Sequence, residues 1–328
     1  MLDAADQSIF SAFDAEPADY QSYDKALDVY YLVIAYAATL RNWRDKLAFQ
    51  VARFLWYYRL VGTVAFELTG ADGLLLVFPN TFEYAVIAYE AVRVRWDPRR
   101  LPHRAVLGAA AAIWIGVKLP QEYWLHVAKL DVTDVLGAHP WLLVPLLAVL
   151  AGVGLLAVRV APKLPTPDWD WSFDVDKHLE PSDVAAPKAA FVRGLPFWGA
   201  VVEKVVLLAL VSITFGQVLP VRATGTQLAV VVVVFAVLNA ALSQLFARRG
   251  TSWQTAGGQF LAMLAANGAV VAVLSLLPGS VDAEIQPGVT LFFVLLLSLL
   301  VTLYDRYRAM REHRLLAPSM PRGRPRVR

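Results

Sequence analysis

The chain has 328 residues, 58% hydrophobic and 17% charged, with a formal net charge of +3. Soluble domains run at about 45–50% apolar and about 25% charged, so this composition argues against an ordinary soluble domain. No cysteine is present, which excludes disulfides, thiolate metal ligands and a cysteine nucleophile.

The apolar excess falls in runs of about twenty residues, the length a helix needs to cross a bilayer core. The runs are continuous rather than alternating, so spans built from them are helical and not barrel strands. The expected fold is all-α: a polytopic membrane protein of about nine transmembrane helices, with the N-terminus outside and the C-terminus inside. The expected spans are 26–42, 48–68, 72–93, 104–124, 141–160, 197–219, 226–246, 257–277 and 288–305. The count falls to eight if the first, interrupted by Asp28 and several tyrosines, lies flat at the interface.

The segment 1–25 is acidic and lacks the basic start and apolar run of a cleavable signal peptide, so it reads as an external segment. A first bundle covers 26–160. Its orientation follows from the base-rich loops at Arg41 to Lys46 and Arg93 to Arg104, with Arg248 and Arg249 marking a third in the second half. The turns Thr69 to Asp72, Leu130 to Pro140 and Pro278 to Pro287 are poor in base and lie on the opposite side. This pattern places the chain in the plasma (inner) membrane of a bacterium.

The second and third spans should form an antiparallel hairpin that turns near Thr69 to Asp72. Residues equidistant from such a turn lie at equal depth, because both helices rise about 1.5 Å per residue. Arg59 then falls level with Glu83, Arg53 with Glu90, and Tyr58 with Tyr84. A lone charge at a helix centre costs about 2.5–3.5 kcal/mol on insertion scales, and pairing lowers that cost. Arg53 and Arg59 point about 120° apart, so both pairs cannot be ideal. Glu67, Asn80 and Tyr84 join this polar cluster, and Pro79 can kink the helix beside Asn80. The cluster reads as an ion, proton or polar-solute pathway, or as a buried pair that fixes helix register.

The fourth span carries small residues at Gly108, Ala112 and Gly116, a spacing that lets helices approach closely, within the chain or across a dimer. Beyond it, Lys118, Glu122, His126 and Lys129 recur at helical spacing, followed by Asp131 and Asp134. The threading puts these at the outer surface. Glu122, His126, Asp131 and Asp134 are candidates for acid/base catalysis or for a metal of unknown identity. The competing reading is an interfacial turn with ordinary ion pairs and a Tyr123/Trp124 anchor.

Residues 161–196 form a Pro/Trp/Asp-rich cytoplasmic loop containing DWDWSFDVDKH. Its alternation of acids and aromatics suggests an extended strap, and the calcium-loop template fails at Phe173 and Leu179. A second bundle covers 197–305. In it Glu203 and Lys204 either reach the interface or pair, and Asn239 and Asn267 bridge helices. The tail 306–328 holds eight arginines. Arg306, Arg308, Arg311 and Arg314 are expected against anionic lipid. No phosphate-binding loop or serine elbow is present.

Three functional classes follow: a transporter or channel-like protein using the Arg/Glu cluster, a membrane-embedded enzyme acting at the outer face on a lipid-linked substrate, and a non-catalytic subunit or scaffold. The expected partners are the bilayer, anionic lipid at the tail, and partner subunits or further copies of the chain. Neither a cofactor nor nucleic acid is expected.

Overall fold

A computed structural model describes residues 20–71, 73–128, 132–160, 162, 164–171, 197–218, 234, 235, 237–239, 241, 242, 245, 253–276 and 287–316. The fold is all-α, and no strand occurs among the described residues. The helices are α1 (Tyr20–Asn42), α2 (Lys46–Thr69), α3 (Gly73–Val77), α4 (Thr81–Arg93), α5 (His103–Ile113), α6 (Val132–Ala138), α7 (Leu143–Val160), α8 (Phe197–Val218), α9 (Trp253–Leu276) and α10 (Pro287–Leu316). Among the described residues, no helix is long and apolar enough to cross a membrane.

The chain divides into a central unit, Arg44–Glu180, and a terminal unit, Met1–Trp43 with Pro181–Arg328. In the terminal unit, α1 packs with α8 and α10. The cause is a stripe along α1. Val29, Leu32, Val33, Tyr36, Ala37 and Leu40 recur at three- and four-residue steps, and all are buried.

Polar groups tie the terminal unit together from inside. Asn239 and Asn267 exchange side-chain hydrogen bonds of 2.8 and 3.3 Å, and Asn267 Nδ2 donates to Ser298 Oγ at 2.9 Å. This is the bridge expected from the sequence. Glu203 accepts from Tyr36 Oη at 3.0 Å and pairs with Arg308, while Lys204 pairs with Asp305, so both α8 charges are partnered.

The tail differs from its expectation. Asp305 to Leu316 contains neither Gly nor Pro, and α10 therefore continues through it. Arg308 turns to Glu203. Arg311 is buried and donates to the Trp43 carbonyl at 2.6 Å. Both arginines have protein partners. Arg306 is half-buried, and the Arg314 side chain lies outside the described residues.

In the central unit, α2 starts at Asp45, whose Oδ1 accepts from Ala48 N at 2.7 Å. It ends at Gly70, which takes the left-handed conformation (φ 66°) that closes a helix C-terminus. The turn falls where the sequence put it. The expected third span is broken into α3 and α4 at residues 78–80. Pro79 lacks an amide hydrogen and disfavours the helical conformation of Phe78, so the break follows from one residue. Gly62 on α2 receives Phe78 from the break: a Cβ there would lie 2.1 Å from Phe78 Cβ.

After α5 the helix continues through a π-helical turn (Trp114–Lys118), an α turn (Leu119–Glu122) and a second π-helical turn (Tyr123–Val127). Pro120 sits inside this run, and the wider turns absorb it. Along the Gly108/Ala112/Gly116 stripe Ala112 is exposed, and among the described residues no neighbouring element comes within 4 Å of a Cβ built on either glycine.

A buried polar centre at the helix break

The break frees two carbonyls, and α2 satisfies both. Tyr58 Oη donates to Val77 O at 2.8 Å and Arg59 Nη1 to Phe78 O at 3.1 Å. The Tyr58 ring packs on Phe78 and Trp114, with centroids at 4.6 and 4.9 Å, giving the break an aromatic collar.

Arg59 was expected opposite Glu83. It binds the Phe78 carbonyl because that acceptor would otherwise be buried without a partner. Glu83 takes the Asn80 amide instead, Nδ2 to Oε2, at 3.0 Å. Arg53 is exposed, and Glu90 pairs with Arg93 one turn on at 2.6 Å. Glu67 is half-buried in the last turn of α2. Asn80, Glu83 and Tyr84 lie at the break with Arg59, and Glu90 lies towards the opposite end of α4.

The residues that complete the centre come from the region expected at the outer surface. Lys118 and Glu122 are each 4% exposed and face inward. Lys118 Nζ lies 3.0 Å from Gln121 Oε1, 3.4 Å from Glu122 Oε1 and 4.7 Å from the Tyr84 ring centroid. Glu122 Oε1 accepts from Asn80 N at 3.4 Å, and Tyr84 Oη donates to Gln121 Oε1 at 3.4 Å. A carboxylate from another helix thus meets the positive end of α4, where electrostatics favours it. Two polar atoms at the break, Asn80 Oδ1 and Thr81 Oγ1, have no hydrogen-bond partner among the described residues, although the residues are only 5% and 1% exposed. Leaving such a group unsatisfied costs about 1–3 kcal/mol.

Hairpin geometry alone would have missed this site. Applied to the third and fourth spans, whose facing ends are Arg93 and Arg104, the rule of equal depth sets Asn80 level with Val117, five residues short of Glu122. The two prolines, Pro79 and Pro120, are the local signal that could have marked the region.

The proposed catalytic set does not assemble among the described residues. Glu122 is committed to Lys118 and Asn80. The side chains of His126 and Asp134, and all of Asp131, lie outside the described residues. No group of three or more His, Cys, Asp or Glu able to hold a metal occurs among the described residues. Tyr123 and Trp124 are exposed, as an interfacial anchor requires.

The strap docks within its own unit. Trp169 Nε1 donates to the carbonyls of Arg93 and Val94, both at 3.2 Å, covering the C-terminus of α4. Asp168 Oδ2 accepts from Asp97 N at 2.8 Å, and its other oxygen pairs with Arg100. Arg95 stacks over the Trp171 ring at 5.1 Å. Burial alone would raise the Asp97 carboxyl. The side-chain and backbone hydrogen bonds of Arg99, with the charges of Arg99 and Arg100, outweigh that and hold it below the usual aspartate value.

The chain matches no protein-family model, no curated protein and no solved structure.

Proposed function

We propose that this is a multi-pass membrane protein that carries an ion or small polar solute, with the centre at residues 78–84 and 118–122 as its binding site. The observation that carries the reading is the buried Lys118–Glu122 pair set against a broken helix whose Asn80 and Thr81 oxygens lack partners. Ionisable groups in apolar surroundings mark solute pathways, and discontinuous helices supply their sites. Structural ion pairs need no such break and leave no polar atoms over.

The membrane setting is supported by what lies outside as well as inside: beside an apolar core, Arg59, Arg93, Lys118, Glu122, Asn239 and Asn267 are buried, and large aliphatic side chains also point outward. In α7, Val144, Leu147, Leu155 and Val158 are 61–70% exposed. Over its 18 residues α7 carries one charge, Arg159, and the 24 residues of α9 carry none. A helix that is apolar all round needs lipid or another protein around it.

The absence of cysteine makes a direct test simple. Thr81→Cys and Gln121→Cys, each the sole cysteine, are treated with a membrane-impermeant thiol reagent in right-side-out and inside-out vesicles. A transport site reacts from both sides. Reaction from one side only indicates a pocket on a single face, as in the enzyme reading. Reaction from neither side indicates a dry structural clasp.

A further inference from the structure

Resting on the transport reading of the same centre, we propose that its substrate is a small monovalent cation, and that Lys118 is a built-in competitor exchanging its proton for that cation. Three different groups converge on the Lys118 ammonium: the Glu122 carboxylate at 3.4 Å, the Gln121 amide oxygen at 3.0 Å and the face of Tyr84 at 4.7 Å. A carboxylate, a neutral oxygen and a π face are the donor set that recognises a singly charged cation, whether an alkali ion or ammonium. A calcium-type site takes six to eight oxygens, several of them from carboxylates. Asn80 Oδ1 and Thr81 Oγ1, buried and without partners at the same break, add two more neutral oxygens.

As folded, the cradle is filled by the protein's own ammonium. Lysine is the residue suited to leave such a place, because burial readily lowers its affinity for a proton, whereas arginine stays charged. The exchange balances simply. One Nζ–H bond of Lys118 breaks, the proton leaves to water, and the incoming cation replaces the lost charge beside Glu122. The net charge of the centre is unchanged, so neither the cation nor the proton leaves an uncompensated charge behind. The titratable groups nearest the pair on its own helical run are Glu122 itself and, two turns from Lys118, His126. At the break α4 supplies Glu83 and Tyr84 and α2 supplies Arg59 and Tyr58; the other charged groups of these helices, Glu90 and Arg93 on α4 and Lys46, Arg53 and Glu67 on α2, lie further along them, and α3, with the sequence GLLLV, carries none. Arg59 is held by the Phe78 carbonyl and Glu83 by Asn80, which leaves Lys118 and Glu122 as the exchanging pair.

The test uses purified full-length protein in weakly buffered detergent solution with a pH dye. Sodium, potassium or ammonium chloride is added, with choline chloride at matched ionic strength as the reference. At least one small cation should release about one proton per chain, with an apparent affinity that rises as pH rises, as an exchange of cation for proton requires. Lys118→Met should bind the same cation without proton release and without pH dependence. Lys118→Met/Glu122→Gln should bind none. The proposal is overturned if no cation releases protons from the folded wild type, or if release persists in Lys118→Met. Should Lys118→Met fail to fold, the wild-type stoichiometry and pH slope decide alone. Two-sided thiol access without proton release would sink the cation and keep the transport reading; proton release without two-sided access would do the reverse.

Discussion

At the scale of single residues, Pro79 organises the central unit. It stops α3, frees the carbonyls taken by Tyr58 and Arg59, and exposes the N-terminus of α4 to Glu122. Gly62 is its counterpart on α2. Glycine inside a helix costs about 1 kcal/mol relative to alanine, yet here any Cβ would meet Phe78. Gly62→Ala should therefore destabilise the protein by about 1–3 kcal/mol, read as a lower Tm in detergent. Gly108→Ala, with open space around it, should leave Tm unchanged or raise it. Equal behaviour of the two variants would remove the close approach from the account. Glu83, Asn80 and Tyr84 could be read from the sequence as polar residues that break the rules of an apolar solvent. The partner of Arg59 could not. The equal-depth rule treats helices as intact rods, and a carbonyl released by a break is an acceptor that no residue letter shows.

At the scale of elements, hydrophobic periodicity and capping placed the helices well, but not their neighbours. The turn at Gly70 and the kink at Pro79 are local chemistry, so the sequence shows them. The packing of α1 with α8 and α10 is a long-range choice among several apolar faces. The strap lies between these cases. Alternation in DWDW marked an extended segment with one aromatic face, but its docking on the α4 C-terminus depends on two carbonyls and on Arg100. The loop it docks on carries a separate pH signature through Asp97, set by Arg99 and Arg100. Its folded-state affinity for protons is depressed, so its contribution is fully present above the ordinary aspartate pKa and is lost as pH falls through the lower folded value. The Tm gap between wild type and Asp97→Asn should be constant from pH 7 to pH 5 and close below about pH 4. A gap that does not narrow at all as pH falls below 4 would show that Asp97 does not act through its charge.

At the scale of the whole molecule, the account rests on apolar surface. Ionisable and amide groups meet inside each unit beside an apolar core, and large aliphatic side chains also face out. Composition made this legible at the start, since a chain 58% hydrophobic and 17% charged has too little polar surface to cover itself. The assignment of charges to lipid or to protein was less legible. The α10 arginines show why: a run of base with no helix breaker reads as a tail, while in the fold Arg308 and Arg311 are spent on Glu203 and the Trp43 carbonyl. The most direct measurement is mass-tag labelling of Leu147→Cys and Leu155→Cys in intact membranes, with Arg100→Cys, exposed at a charged loop, as the water-facing control. If α7 lies in lipid, both α7 cysteines resist a polar maleimide until detergent denatures the protein, while the control reacts at once. If they react as fast as the control in intact membranes, α7 stands in water and the membrane account is wrong.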